Sequence, residues 1–420
     1  MRVLVWGLGY VGSVTAACLA EVGHEVIGID LDQSKVDAIN EGRSPIKEPG
    51  LDSIMAEMLA IGRLKATRES TGLVEWADLS LICVGTPSDK NGAPATQAIE
   101  RVAEAIGAGL KTSDKYHTVA LRSTVSPGTT RHLLGPILEE TSGKLAGRDF
   151  GLTMNPEFLR EASAVSDFYN PPYVVVGEHD RPAGDVAAAL YSSISTEFYR
   201  VSLEEAETIK VFNNAFHALK IGFANEVGRI CENLNMDAKT IMRIMCADTK
   251  LNISPAYLKP GFAFGGSCLP KDLRSLTLTA SDLGVSVPII EAILPSNHHQ
   301  IESARRKVLG LGVNRVGILG LSFKPGTDDL RESPILTLIQ KLHDDGLDVR
   351  VYDPDVELSK VMGSNLAYTE GQLPDIQHML CNNIDEVVQH SEALVACHKR
   401  PEFNTVMENL PSTLQVLTLA

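Results

Sequence analysis

The chain has 420 residues, 44% of them hydrophobic and 22% charged, with a formal net charge of -15. That length predicts two or three domains, each able to bury a core, and the composition is that of a folded globular protein without a low-complexity tract. Lys and Arg are scattered, which argues against a nucleic-acid or anionic-membrane surface, so an anionic ligand must be held by a few local groups. The first residues carry no apolar h-region or cleavage site and no apolar run reaches about 18 residues, so a cytoplasmic protein is expected. The seven cysteines, Cys18, Cys83, Cys231, Cys246, Cys268, Cys381 and Cys397, include no CxxC pair. Neither a disulfide framework nor a metal site is expected, and all but Cys268 read as inert small hydrophobes.

Short β-branched runs alternate with helical stretches in the first part of the chain: RVLVW (2–6), EVIGID (25–30), LSLICVG (79–85), TVALRST (118–124) and FGLTMN (150–155). This alternation predicts parallel βαβ units, with PPYVVVGE (171–178) closing the domain. Apolar residues then recur at helical spacing through residues 204–235, without a proline, as one long helix of the kind that bridges domains or meets a partner subunit. Further helices are predicted over 237–248, 271–284 and 288–311. A second βαβ unit follows, with strands NRVGILGLSF (314–323) and DVRVYDP (348–354) around a helix over 333–346. Its layout echoes residues 1–30, down to an aspartate ending the second strand, Asp30 and Asp353. The runs EALVACH (392–398) and QVLTLA (415–420) read as further strands, and the final apolar run reads either as a truncation or as an end inside the sheet. The expected fold is α/β, with two Rossmann-like doubly wound domains joined by a long central helix and a helical connector. The expected boundaries are 1–200 for the first domain, 201–311 for the connector and 312–420 for a second, nucleotide-binding-like domain.

The first strand runs into GLGYVG, where Gly7, Gly9 and Gly12 fit GxGxxG: a tight turn, a close approach for a pyrophosphate, and close packing of helix on strand. Asp30 stands where a ribose diol would be held and would repel a 2'-phosphate, so NAD is favoured over NADP. VGTPSDKNG (84–92) and RSTVSPGTT (122–130) follow strands, at the end where open α/β sheets bind ligands, so Thr86 and Thr124 are in reach of a cofactor. NPEFLREAS (155–163) is read as a helix start placing Glu157 and Glu161 one turn apart, a carboxylate pair suited to base or water-orienting work. On the long helix Lys210, Asn214 and His217 fall at i, i+4 and i+7, with Asn225 beyond; a Lys-Asn pair suits a developing oxyanion. In GGSCLPKD (265–272) the glycines allow tight folding around a ligand, Pro270 is read as the first residue of a helix, and that helix end with Lys271 favours a Cys268 thiolate. A nucleophilic cysteine beside nicotinamide chemistry can carry an aldehyde through thiohemiacetal and thioester to an acid, with Asp272 and the glutamates managing protons. Lys324 and Arg331, in LSFKPGTDDLRESP (321–334), are placed to meet phosphates.

These stretches, together with AETIKVFNNAFHALKIGFANE and PGFAFGGSCLPKD, occur in an order that resembles the UDP-glucose/GDP-mannose dehydrogenase family over residues 1–355, and more loosely beyond. His217 and the PGFAFGGSCLPKD wording resemble the GDP-mannose branch. The resemblance implies oxidation of a sugar C6 alcohol to a carboxylate with two NAD, with GDP-mannose as substrate for an alginate-like polysaccharide, or else UDP-glucose or a UDP-amino sugar. It implies Cys268 as nucleophile, Lys210 and Asn214 as alkoxide and oxyanion stabilisers with Asp272 assisting, and Thr124, Glu157 and Glu161 handling water and proton. Matching NAD positions are Gly7, Gly9, Tyr10, Val11, Gly12, Asp30, Lys35, Thr86, Thr124, Lys271 and Arg331. Matching sugar-nucleotide positions are Glu161, Lys210, Asn214, His217, Asn225, Tyr257, Lys259, Phe262, Gly265 and Lys324. Ala256 and Lys259 depart from the family pattern, which has tyrosine and arginine there. The resemblance also implies a homodimer or higher homo-oligomer through the central helix.

Overall fold

The computed structural model describes the chain except residues 88–93, 161, 255–260, 267–268, 328, 357–368, 370, 412–413 and 420. The described residues form two compact units, Met1–His217 and Ala218–Ala420.

The first unit is built on an eight-stranded sheet in the order β3-β2-β1-β4-β5-β6-β7-β8. Its strands are β1 (Arg2–Trp6), β2 (Glu25–Ile29), β3 (Leu64–Thr67), β4 (Leu79–Ile82), β5 (Thr118–Leu121), β6 (Gly151–Met154), β7 (Tyr173–Glu178) and β8 (Glu197–Val201). The helices are α1 (Tyr10–Glu21), α2 (Gln33–Asn40), α3 (Leu51–Ala60), α4 (Leu73–Trp76), α5 (Gln97–Thr112), α6 (Gly135–Ser142), α7 (Ala164–Tyr169) and α8 (Arg181–Ala189). Both faces of the sheet are covered: Val3 and Val5 pack in one apolar cluster, Leu4 and Trp6 in another. Burial on both sides is why the strands read as unbroken apolar runs rather than as an alternation.

Two features differ from the sequence reading. β7 pairs antiparallel to β6, and β8 continues the sheet beyond it, so the 171–178 run does not close the domain. The β8 sequence, EFYRV, is largely exposed and has no apolar run to mark it as a strand.

The long helix α9 (Leu203–Asn233) is continuous and contains the boundary between the units. The second unit carries α10 (Ala238–Ala247), α11 (Leu269–Asp282) and α12 (Pro288–Leu309). A parallel four-stranded sheet follows, in the order β10-β9-β11-β12, from β9 (Arg315–Leu319), β10 (Asp348–Tyr352), β11 (Ala393–Ala396) and β12 (Gln415–Thr418), with α13 (Pro334–Asp344) linking β9 to β10. α11 begins at Leu269, so Pro270 is its second residue and not its first. No described helix is long and apolar enough to cross a membrane.

Candidate active site

Gly7 sits at φ +94, a backbone region open to glycine, and a Cβ there would meet Val84 backbone atoms at 2.9 Å. Gly12 is closed more tightly still: its Cβ would stand 1.8 Å from the Gly7 carbonyl oxygen. At Gly9 nothing lies within 4 Å of a Cβ, so the space above the loop, at the N-terminus of α1, is open to a pyrophosphate. The Asp30 carboxylate, just past β2, accepts from Leu8 N at 2.7 Å and from the Lys35 ammonium at 3.1 Å, which ties the glycine loop to the second strand. A cleft of about 290 Å³ beside it is lined by Trp6, Gly7, Asp30 and Arg101. These features fit NAD: Gly9 leaves room for the diphosphate, α1 offers its positive end, and Asp30 stands at the cleft to accept from a ribose diol.

Thr124 and Glu157 each follow the strand end by three residues, past the register pair Leu121 and Met154 of β5 and β6. The Thr86 hydroxyl donates to the Thr124 carbonyl at 2.7 Å, which joins the β4 and β5 ends. Lys210, on α9, places its ammonium 2.9 Å from Glu157 Oε1, with the two side chains only 11% and 10% exposed. The second Glu157 oxygen accepts from Leu159 N at 2.7 Å, and the Lys210 ammonium also lies over the Phe158 ring. Removing two charges from water in this way is tolerated because each neutralises the other. Residues 155–160 are not helical, so Glu157 does not share a helix face with Glu161; α7 starts only at Ala164, after Ala162 turns left-handed at φ +68. Asn214, His217 and Asn225 are exposed on α9, in contrast to buried Lys210. The stripe read from the sequence is therefore buried at one end and open along the rest.

In the second unit, Gly265 and Gly266 are shaped by protein rather than left open. A Cβ at Gly265 would meet the Glu332 carbonyl at 2.3 Å, and one at Gly266 (φ +89) would meet the Phe323 ring at 2.9 Å. The two glycines thus bring this loop against residues 323–334, and Gly265 has only its backbone to offer a ligand. Phe264 exchanges two hydrogen bonds with the Asn297 amide of α12, at 2.9 and 2.8 Å, which pins the loop beside Phe262. Lys271 pairs with its neighbour Asp272 at 3.1 Å on the exposed start of α11. Arg331 donates twice to Asp329, at 2.9 and 2.8 Å, and Lys324 is exposed beside the Phe323 ring. Glu161, Ala256, Tyr257, Lys259 and Cys268 lie outside the described residues.

Among the other cysteines, Cys83 and Cys397 fit the inert reading: burial pushes both thiols up to about 12. Cys246 does not, because it is exposed, and Cys381 is half-buried. Several site-shaping residues left no sequence signal. Buried Arg122 donates to the Asn155 side chain at 2.7 Å and to the Tyr191 hydroxyl at 2.8 Å, anchoring the chain that leads to Glu157. Glu207 on α9 accepts from Thr130 N at 2.7 Å, the Thr130 hydroxyl at 2.6 Å and Gly128 N, holding the loop that follows Thr124.

The chain matches the UDP-glucose/GDP-mannose dehydrogenase family in three parts: the NAD binding domain over residues 1–195, the central domain over 204–299 and the UDP binding domain over 317–416. It is 43% identical to a GDP-mannose 6-dehydrogenase of Pseudomonas putida over 419 residues, covering 100% of this chain and 96% of that protein. A UDP-glucose 6-dehydrogenase of Haloferax volcanii is 38% identical over 362 residues, 84% of this chain and 83% of that one. Among solved structures, a ternary complex of GDP-mannose dehydrogenase from Pseudomonas aeruginosa superposes with a TM-score of 0.97 at 44% identity, covering 100% of this chain and 96% of that one. A UDP-glucose dehydrogenase of Pyrobaculum islandicum gives 0.58 at 32% identity, covering 100% and 94%. With its glycine loop shaped for NAD and all three parts matched in order, the chain belongs to the UDP-glucose/GDP-mannose dehydrogenase family.

Proposed function

We propose that this chain oxidises the C6 hydroxyl of GDP-mannose to the carboxylate, supplying a uronate for an alginate-like polysaccharide. The observation that carries the choice of substrate is identity of 43% and 44% along the whole chain with relatives named GDP-mannose 6-dehydrogenase, against 38% over 84% of it for one named for UDP-glucose. In balance, GDP-mannose, two NAD and one water give GDP-mannuronate, two NADH and three protons. Bound NAD supplies the hydride acceptor for both oxidations.

The protein's own groups do the rest. The Lys210 ammonium and Asn214 amide stabilise the C6 oxyanion as its proton leaves, and again when the Cys268 thiolate adds to the aldehyde carbon. The thiohemiacetal so formed becomes a thioester on the second oxidation. Water, oriented by Thr124, Glu157 and Glu161, then releases the acid and restores the thiol, with Asp272 assisting. The buried Lys210–Glu157 pair supports this division, because it fixes the ammonium in place beside the carboxylate assigned to the water, so neither group must reorganise as charge develops. Gly7, Gly9, Tyr10, Val11, Gly12, Asp30, Lys35, Thr86, Lys271 and Arg331 hold the cofactor. His217, Asn225, Tyr257, Lys259, Phe262, Gly265 and Lys324 hold the sugar nucleotide. The decisive measurement is NADH release against a panel of sugar nucleotides. Two NADH per GDP-mannose are expected, with no turnover of UDP-glucose, and equal kcat/KM for UDP-glucose would overturn the assignment. Cys268→Ser is expected to bind NAD and form no acid; wild-type acid production by it would sink the covalent route.

The same reading includes a homodimer or higher homo-oligomer through α9, supported by Phe212, Leu219 and Ile221, which are 66%, 49% and 62% exposed on that helix. A sedimenting mass equal to one 45.3 kDa chain would refute it. A cytoplasmic location also belongs to it, since the described cysteines are all unpaired, as a reducing compartment favours.

A further inference from the structure

Glu48 is 5% exposed, yet it lies on neither the glycine loop nor the segment that carries Glu157. It sits in the link between α2 and α3, and its carboxylate closes a bridge between the two. Oε2 accepts from the Tyr10 hydroxyl and, at 2.9 Å, from Ala162 N. Oε1 accepts from Ala164 N at 2.8 Å, and the Tyr10 oxygen itself lies 3.1 Å from Ala162 N. Ala162 is one of the non-glycine residues with positive φ, at +68. A left-handed residue with a Cβ is strained and persists where its surroundings over-determine it. The left-handed turn at Ala162 lets the amides of 162 and 164 converge on one carboxylate. The hydrogen bonds in turn make up for the burial of that carboxylate, so turn and acceptor hold each other in place.

The position in sequence gives the clasp a role. Tyr10 opens α1 directly after Gly9, where the cofactor's diphosphate is to be met. Ala162 directly follows Glu161, and the same segment is fixed upstream by the Glu157–Lys210 pair. We infer that Glu48 is a positioning residue: with Tyr10 it holds Ala162 and Ala164, at the far end of the stretch that starts from Glu157, and ties them to the NAD loop. This rests on the water and proton handling assigned above to Glu157 and Glu161.

The test uses the full-length protein and three changes: Glu48→Gln, the double variant Glu48→Gln with Ala162→Gly, and Ala162→Val. Glutamine retains a single acceptor oxygen and turns an amide group toward backbone N–H donors, so the clasp opens. The expected result is a kcat lower by about 10-fold or more, with KM for NAD moved by less than about threefold, in keeping with the cost of a small displacement of catalytic groups. Glycine at 162 accepts the left-handed turn unaided, so the double variant should regain most of the lost kcat. Valine at this exposed position strains the turn without touching Glu48, and kcat should fall again, which keeps the test open should Glu48→Gln fold poorly. A readout independent of turnover is tryptic cleavage after Arg160, whose side chain is 74% exposed. Cleavage should quicken in Glu48→Gln and slow again in the double variant, even with a preparation that turns over no GDP-mannose. Failure of the substrate assignment is thereby kept apart from failure of the clasp. Unchanged kcat and unchanged cleavage in Glu48→Gln or in Ala162→Val, or no recovery on adding Ala162→Gly, would overturn the inference.

Discussion

Acid should destabilise the first unit through one histidine. His117 is fully buried next to β5, and its bonding assigns the tautomer: Nδ1 donates to the Ala77 carbonyl at 3.2 Å, and Nε2, at 3.0 Å from Ser80 Oγ, accepts. The Ser80 oxygen also accepts from the Trp6 indole N–H at 3.0 Å, and its proton goes to the Nε2 lone pair that this tautomer leaves. Protonating Nε2 would place a charge in a dry site, and burial accordingly lowers the His117 pKa from 6.5 to about 4. The folded form therefore binds the proton less well than the unfolded chain does. This contribution to stability is intact above about pH 6.5 and is lost as pH falls toward about 4. Between about pH 7.5 and pH 5 the loss from this one group is about 2 kcal/mol. Burial also lowers the pKa of His24 and His398, which add loss of the same sign. The contribution of His117 is isolated by His117→Asn, which keeps a donor near the Nδ1 position and cannot titrate. Urea unfolding followed by Trp fluorescence at the two pH values should show the variant losing about 2 kcal/mol less than the wild type. Equal losses in the two proteins would refute the reasoning.

Three further outcomes follow from the geometry around the cofactor and the ion pair. Gly9→Ala should leave the melting temperature unchanged and weaken NAD binding, because its methyl would enter open space meant for a diphosphate; unaltered affinity by titration would count against that placement. Gly12→Ala should lower both affinity and melting temperature, since a Cβ 1.8 Å from the Gly7 oxygen forces the loop to move, at a cost of about 1–3 kcal/mol or more. Lys210→Met should abolish NADH release and destabilise the fold by about 3 kcal/mol by leaving Glu157 buried and unpaired, and adding Glu157→Gln should restore stability to thermal melts but not activity.

The parts of this architecture legible in the sequence are those in which local pattern and global fold agree. Strands buried on both faces read as apolar runs, the glycine loop announces itself by spacing, and α9 keeps helical spacing from end to end. The failures share a cause in long-range partners. NPEFLREAS has the composition of a helix start, but residues 155–160 are not helical: Arg122 and Lys210 hold the Asn155 and Glu157 side chains, and further on Glu48 takes the backbone N–H groups of Ala162 and Ala164. Glu48 meets Ala164 across 116 positions, and a lone carboxylate accepting from backbone has no periodicity to betray it. The same holds for Glu207, which reads as one of several acids at a helix start and instead organises the loop beyond β5. For the glycine pair 265–266, the sequence signals that a side chain is forbidden; it does not say whether ligand or protein forbids it, and here Glu332 and Phe323 do.

The echo between the two sheets is exact enough in its bonding to explain how one framework is set up for two different nucleotide ligands. In the first, Gly7 N donates to Ile29 O at 2.7 Å, Gly7 takes φ +94, and Leu8 N donates to Asp30 at 2.7 Å. In the second, Gly320 N donates to Tyr352 O at 2.8 Å, Gly320 takes φ +99, and Leu321 N donates to Asp353 at 2.7 Å. The devices diverge immediately afterwards. Only Leu8 and Gly9 separate Gly7 from α1, so the helix end itself faces the ligand, and Asp30 keeps an exposed edge. After Gly320, residues 321–333 intervene before α13, and the second aspartate is buried, accepting from Leu321 N, Ser322 N and the Ser322 hydroxyl. A Cβ at Gly320 would strike the His398 ring at 2.7 Å, as one at Gly7 would meet Val84 at 2.9 Å, so protein closes both turns at this point. The longer stretch that sets α13 back from Gly320 carries two cations, Lys324 and Arg331, where the short first loop carries none. The same turn and the same aspartate thus lead straight into a helix end where the loop is short and Asp30 keeps an exposed edge, and into a cation-bearing loop where it is long and Asp353 is buried under its own donors.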